Sequence, residues 1–259
     1  MSKIVLQGFL YDEKSSFKKG PALAPPLIRE AYHSASANYY AENGMEVLPS
    51  HFEDMGDFSI QDYFDMESIT IEHLKKELPI LTLGGDHSIT YPILKALHQK
   101  HGQLSILHID AHSDLYSDFE GDPFSHACPF HNILKEGISS DLTQVGIRTL
   151  NHEQRTNGAK YGANICEMKD FEKFIMPYYE QSIYLSLDID ALDPAFAPGV
   201  SHHEAGGFTT RQVLKIIQDI PVPILGADIV EYNPNRDING MTAMVCAKLL
   251  KEIIAKMVI

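Results

Sequence analysis

The chain has 259 residues, 44% of them hydrophobic, and carries 35 acidic against 21 basic side chains for a formal charge of −14. That length suits one α/β domain, and the acidic balance argues against nucleic acid or an anionic membrane surface as a partner while suiting a small cation. The three cysteines, Cys128, Cys166 and Cys246, lie far apart without CxxC spacing, which predicts free thiols and a cytoplasmic protein rather than a disulfide framework.

In chain order, residues 4–10 read as a first strand. Residues 20–26 (GPALAPP) form a loop stiffened by prolines. Residues 27–40 read as a helix with Leu27, Ala31 and Ala35 on one face, and residues 45–48 as a short strand. The acidic stretch 51–64 reads as a surface loop, and the opening MSKIVLQGFLYDEK has no signal-peptide core. A helix over 66–78 runs into a strand at 79–83, followed by an amphipathic helix at 91–100 and a strand at 105–109. The long loop 115–129 is expected to be functional, as such loops usually are. Beyond it come a helix at 130–136, a strand at 142–147 and a helix at 152–161. A short strand at 163–167, a helix at 170–179 and a strand at 182–187 follow. The last elements are a helix at 209–217 capped by Thr209 or Thr210, a strand at 223–230 and a long closing helix at 241–258. No run is long enough to span a bilayer. Strands alternating with helices predict a mainly parallel sheet covered on both faces.

Three of these strands end in ionisable residues of metal-ligand type: Gly84-Gly85-Asp86-His87-Ser88, Asp110-Ala111-His112-Ser113-Asp114 and Asp188-Ile189-Asp190. If the extended conformation continues, Asp110, His112 and Asp114 share one face, and so do Asp188 and Asp190. Carboxylates and imidazoles gathered there are costly to bury without compensation, and a metal supplies it. In parallel α/β sheets ligands bind beyond the carboxyl ends of strands. Carboxylate donors suit hard divalent ions, the imidazoles favour Mn²⁺ over Mg²⁺, and the donors exceed what one ion needs. Two ions sharing bridging carboxylates would lower the pKa of a shared water enough for hydrolysis.

GGDHS at 84–88, DAHSD at 110–114 and SLDIDALDPAFAPG at 186–199 resemble the three metal signatures of the ureohydrolases, the arginase and agmatinase superfamily. The resemblance extends to GPALAPPLIRE at 20–30 and to GADIVEYNPNRDINGMTAMVCAKL at 226–249, so it spans nearly the whole chain. DLYSDFEGDPFSHACPF at 114–130 and FAPGVSHHEAGGF at 196–208 are most similar to the plant-type arginase branch, itself close to agmatinases. It implies an α/β fold with a three-layer α-β-α arrangement, a single domain over residues 1–259 with a sheet of about eight strands, and a homotrimer or homohexamer. It further implies two Mn²⁺ per subunit, with Ni²⁺ or Co²⁺ as substitutes. His87, Asp110, Asp114 and Asp188 would hold one ion; His112, Asp110, Asp188 and Asp190 the other.

By the same resemblance Asp114 takes a proton from the attacking water, Glu231 binds the guanidinium, and His126 passes a proton to the departing amine. An imidazole titrates in the right range for that transfer, and a carboxylate matches a planar cation rich in N–H donors. Tyr116 stands where animal arginases place an Asn that holds the arginine α-carboxylate, and plant-like arginases also carry Tyr there. At least one of His202 and His203 is expected to line the pocket, His202 being the one taken as substrate-binding, and Arg148 is a candidate reader of a substrate carboxylate or else a structural ion-pair partner. Asp86 is expected to support the ligand shell and Asp193 to make a turn, while the other histidines, His108 among them, read as structural or surface residues. The implied reaction cleaves a small cationic guanidino substrate to urea and an amine. Arginine is slightly favoured over agmatine, and guanidino acids and formimidoylglutamate come next. A single-zinc deacetylase and an inactive binding homologue are the readings from other classes; the first expects a different ligand pattern and the second a lost ligand.

Overall fold

The strands are β1 (Ile4–Leu10), β2 (Phe52–Ser59), β3 (Ile80–Leu83), β4 (Ser105–Ile109), β5 (Asp141–Ile147), β6 (Asn164–Glu167), β7 (Ile183–Asp188) and β8 (Ile224–Val230). In the computed structural model, which describes residues 3–258, they form one sheet in the order β2-β1-β3-β8-β7-β4-β5-β6. Every pairing is parallel. The chain leaves β3 for β4 across a gap that β8 and β7 later fill, so β3, β8, β7 and β4 are the central strands. Their near-continuous apolar sequences follow, because a parallel strand covered on both faces has no wet side.

Helices α1 (Ala24–Tyr32), α6 (Thr210–Asp219) and α7 (Met241–Met257) cover one face. There Ile28, Val213, Ile217 and Leu250 pack with Leu185 and Ala227. Helices α2 (Asp65–Leu74), α3 (Thr90–His101) and α4 (Pro129–Lys135) cover the other, with α5 (His152–Tyr161) beside α4. On that face Met66, Leu94 and Ile133 pack with Ile80, Ile106 and Tyr184. Leu185 and Tyr184 belong to opposite faces, as strand alternation requires. The result is the expected α/β fold, three layers in one domain. None of the described helices is long and apolar enough to cross a membrane.

The differences from expectation lie at edges and ends. The acidic stretch read as a loop contains β2, whereas residues 45–48 form no strand. β2 is the edge strand, paired only with β1. Its sequence, FEDMGDFS, is therefore half-exposed and lacks an apolar run; Asp54 and Asp57 pair with Arg29 of α1. α1 starts earlier than read, because Pro25 and Pro26 sit in its first turn, where a missing N–H costs nothing. It ends at Tyr32 and not at residue 40, and α2 stops at Leu74. Residues 168–173 make only a 3₁₀ turn in place of the helix expected at 170–179. Thr209 caps α6 as expected, its side chain accepting the Gln212 amide at 3.2 Å.

Two glycines set the floor of the site. A Cβ at Gly85 would lie 1.6 Å from the Tyr11 carbonyl oxygen, and a Cβ at Gly146 (φ +99°) would lie 2.9 Å from the Asp110 carbonyl oxygen. Only glycine lets the strand ends approach this closely. Gly85→Ala is expected to destabilise the fold by about 2–4 kcal/mol, since the clash is with backbone. Equilibrium urea unfolding of the variant beside the parent checks it.

Candidate metal centre and active-site cleft

The three signature strand ends share one local device. After β3, Asp86 Oδ1 accepts the Ser88 amide at 3.1 Å. After β4, Asp110 Oδ1 accepts the His112 amide at 2.6 Å. At the end of β7, Asp188 Oδ1 accepts the Asp190 amide at 2.7 Å. An Asp that bonds the backbone two residues on turns the chain sharply. The extended conformation assumed from sequence therefore does not continue past Ile109. Asp114 reaches the site in the left-handed region, at φ +51°. The turns, and not strand alternation, bring the donors together.

His87 is the focus of the first donor group. Its Nδ1 lies 3.2 Å from Asp110 Oδ2, 3.1 Å from Asp114 Oδ2 and 3.2 Å from Asp188 Oδ2. Its Nε2 lies 2.9 Å from Ser186 Oγ, and that hydroxyl donates to Asp228 Oδ1 at 2.7 Å. Asp228 is fully buried and also accepts from Thr90 Oγ1 at 2.7 Å and Tyr184 OH at 2.6 Å. Because Ser186 spends its hydrogen on Asp228, it can only accept from His87. One His87 proton is thereby held on Nε2, and Nδ1, which has no hydrogen-bond partner among the described residues, is turned toward three carboxylate oxygens. That arrangement is repulsive unless a cation lies between them. Ligands about 2.1 Å from an octahedral ion are themselves about 3.0 Å apart, close to the spacing of these four atoms. The residues present therefore fit a divalent metal.

A second group adjoins it through Asp110. His112 Nδ1 lies 3.0 Å from Asp190 Oδ2 and 3.6 Å from Asp110 Oδ1. Asp190 Oδ1 accepts the Ala111 amide at 3.3 Å, which aims its other oxygen at His112. Burial, with Asp190 and Asp110 beside it, pushes Asp188 well above the usual carboxylate range. Burial and Asp110 carry Asp190 up to about 6 despite the pull of His112. Burial disfavours the charged imidazoles, yet the surrounding carboxylates raise both His87 and His112 well above their ordinary value. Asp188, Asp190 and both imidazoles are shifted toward taking up positive charge, whereas His108, outweighing burial, holds Asp110 well below the usual carboxylate range. All six residues expected as ligands are thus brought together.

His108 lies against this cluster, with Nε2 2.7 Å from Asp110 Oδ2. Its Nδ1 accepts from Gln144 Nε2 at 2.9 Å, so Nε2 carries the hydrogen and donates to Asp110. With both nitrogens used, His108 orients Asp110 and has no lone pair to offer an ion. Ser186, Asp228 and His108 were not assigned to the site from sequence. The signal was there for Asp228, a lone acid inside an apolar strand that has to be paired if buried.

Beyond the cluster is a cleft of about 200 Å³ lined by Ser16, Tyr116, His126, Thr149, His202 and Glu231, among others. Glu231 follows β8 with φ +64°, another left-handed residue at the site. Its Oε1 accepts the His87 amide at 2.9 Å and lies 2.7 Å from His126 Nδ1. His126 Nε2 lies 2.7 Å from Ser16 Oγ and 3.1 Å from the Ser16 amide nitrogen. Burial lowers the His126 pKa, but the carboxylates of Glu231 and Asp86 outweigh it and carry it up to about 9. Ser16, missed from sequence, arrives on a loop that Asp86 Oδ2 holds by accepting the Lys14 amide at 3.0 Å. Asp86 therefore steadies a loop and stays off the metal centre, while Asp193 makes its turn by accepting the amides of Ala195, Gly206 and Gly207. Tyr116 OH accepts from Asn151 Nδ2 at 2.7 Å. His202 sits at the mouth, its ring 5.3 Å from that of His126, and His203 turns outward to the Pro198 carbonyl.

Arg148 has neither of the roles considered for it. Its guanidinium donates to the carbonyls of Asp190 at 2.8 Å, Ala191 at 3.2 Å and Glu204 at 2.7 Å, which leaves nothing for a substrate carboxylate, and it pairs with no acid among the described residues. It staples the turn carrying Asp190 to the loop carrying His202.

Parallel strands delivering a carboxylate-rich, imidazole-containing double donor site to one cleft define a metal-dependent α/β hydrolase. The sequence profile of the Arginase family matches residues 2–255, and the chain belongs to that family, whose members hydrolyse guanidino groups. It is 43% identical to a protein named arginase 1, mitochondrial, of Arabidopsis thaliana, over 97% of this chain and 80% of that one. It is 31% identical to an agmatinase of Bacillus anthracis over 98% of this chain and 91% of that one. Among solved structures, an arginase from Medicago truncatula superposes with a TM-score of 0.90 at 40% identity, over 99% of this chain and 87% of that one. The cytoplasmic placement is corrected by these relatives, since the Arabidopsis protein is named mitochondrial. Scattered free cysteines speak against disulfides and do not separate one reducing compartment from another.

Arg148→Ala is expected to destabilise the protein by about 2–3 kcal/mol, because several carbonyls lose their charged donor. Thermal unfolding followed by circular dichroism measures the loss.

Proposed function

We propose that the chain hydrolyses a guanidino compound to urea and an amine, with L-arginine, giving L-ornithine, as the favoured substrate and agmatine, giving putrescine, as the alternative. The observation that carries this reading is His87 Nδ1 facing three carboxylate oxygens beside a cleft that ends in Glu231. The higher identity to a plant arginase than to an agmatinase supports arginine. A lost ligand would have favoured an inactive binding homologue, and none of the six is lost; paired aspartates at two strand ends fit two ions better than the single zinc of a deacetylase.

In this reading His87, Asp110, Asp114 and Asp188 hold one ion, and His112, Asp110, Asp188 and Asp190 the other. Manganese is the resident metal, with nickel or cobalt as substitutes. When bound, the ion pair supplies an acidified water as nucleophile. Asp114, whose Oδ2 lies 3.1 Å from His87 Nδ1, would take up the proton released when water adds to the guanidinium carbon. Glu231 binds the guanidinium through Oε2, which accepts no hydrogen bond among the described residues, while Oε1 stays with His126 and the His87 amide. The carbon–nitrogen bond then breaks, and His126 supplies the proton that the departing amine takes up. Ser16 and Glu231 grip the two ring nitrogens of His126 and fix its plane. The family resemblance further supports a homotrimer or homohexamer.

Protein loaded with Mn²⁺ is expected to release urea from arginine faster than from agmatine, with 4-guanidinobutyrate slowest, and Asp190→Asn to lose more than about 100-fold in rate. Metal bound with urea from none of the three would sink the substrate assignment.

Metal uptake carries a pH signature. Asp190, raised to about 6 in the metal-free protein, must ionise before it donates a lone pair, so binding expels its proton. Apparent affinity is expected to weaken as pH falls through that value and to go on rising above it, because Asp188, His87 and His112 are raised as well and must also release their protons; calorimetric titration with Mn²⁺ across the range would read this.

A further inference from the structure

Deep in the cleft the charges have assigned work, but one carboxylate at its outer part does not. Glu204 lines the cleft with Thr149, Gln154 and His202. Its hydrogen bonds run through its backbone: the carbonyl accepts from Arg148 Nη2 at 2.7 Å and Nε at 3.2 Å. Its carboxylate meets no donor and no cation among the described residues. The segment that carries it is nonetheless pinned on every side. Arg148 Nη2 ties residue 204 to the Asp190 carbonyl at 2.8 Å, and Asp193 Oδ2 accepts the Gly206 amide at 2.7 Å. Ser201 Oγ donates to the Lys18 carbonyl at 3.0 Å and accepts from Asn233 Nδ2 at 2.8 Å. A free carboxylate on a fixed backbone is the arrangement that reads a cation with little loss of freedom on binding.

The rest of the outer cleft agrees. Neither lysine nor arginine lines it. Its other polar groups are neutral, and the O–H of Tyr116 stays free because its oxygen accepts from Asn151. A substrate tail bearing only a carboxylate finds no counter-charge there, whereas a tail bearing an ammonium finds one.

We propose that Glu204 is the specificity-determining residue for the far end of the substrate, pairing with a primary ammonium remote from the guanidinium. This rests on the guanidino-hydrolase reading and sharpens it, because arginine and agmatine carry that ammonium and guanidino acids of the 4-guanidinobutyrate type do not.

The test compares putrescine with n-butylamine on Mn²⁺-loaded protein by calorimetry. The two amines differ only in the second ammonium, and neither is turned over. The parent is expected to bind putrescine about 10- to 100-fold tighter. E204Q should keep the butylamine affinity and lose the difference. In turnover, E204Q should raise KM for agmatine most and for arginine less, since arginine also carries a carboxylate there, with kcat within about 2-fold, and should not raise KM for 4-guanidinobutyrate, whose carboxylate loses a like-charged neighbour. A parent that binds the two amines equally, or binds neither, overturns the proposal, as does a preference that survives in E204Q. Absence of urea from every substrate would remove the hydrolase reading, and the amine comparison would still decide the role of Glu204.

Discussion

An imidazole nitrogen held among carboxylates is the constraint on which the molecule depends. Ser186 and Asp228, on neighbouring central strands, fix one His87 proton on Nε2. Nδ1 is thereby committed to face Asp110, Asp114 and Asp188. Each buried charge costs several kcal/mol to desolvate. The cost is tolerable only where a cation returns it and where a stiff frame keeps the donors from drifting apart. The parallel sheet is that frame, since its central strands are covered on both faces and cannot flex toward water.

The same demand explains the strained backbone. Asp114 and Glu231 both adopt left-handed conformations with full side chains, at about 1–3 kcal/mol each. Gly85 and Gly146 accept the close approaches that would otherwise push the strand ends outward. Of the five left-handed non-glycine residues among those described, Asp114 and Glu231 are the two that carry side chains into the site. The strand ends are held rigidly because the site leaves no tolerance for movement.

Around this centre the loops are tied by side chains that act on backbone. Asp86 holds the segment bearing Ser16, Arg148 holds the segment bearing His202 and Glu204, and Asp193 fixes the far end of the latter. Each is a charged residue spent on amides or carbonyls, so none of the three offers its charge to a substrate. The cleft then sorts into a deep end rich in carboxylate and imidazole and an outer part where Glu204 is the free charge. That polarity suits a molecule with a guanidinium at one end and an ammonium at the other.

Much of this was determined by the sequence alone. Apolar runs ending in Asp and His announced the parallel sheet, the ligand types and the cleft at the strand ends, because burial and metal affinity depend on residue type and local order. The motifs around them sufficed for the family. What sequence order could not convey was whatever depends on neighbours distant along the chain. β2 escaped notice because an edge strand needs no apolar run. Arg148 read as a charge for a ligand because the carbonyls it caps lie 42 and 56 residues away. The convergence of Asp110 and Asp114 came from turns and a left-handed residue, not from strand alternation. Ser16, Ser186 and Glu204 gained their places only when folding set them beside His126, His87 and the mouth of the cleft. Residue types are written in the chain, but which nitrogen faces which carboxylate is a matter of ångströms between segments, and only the tertiary structure decided it.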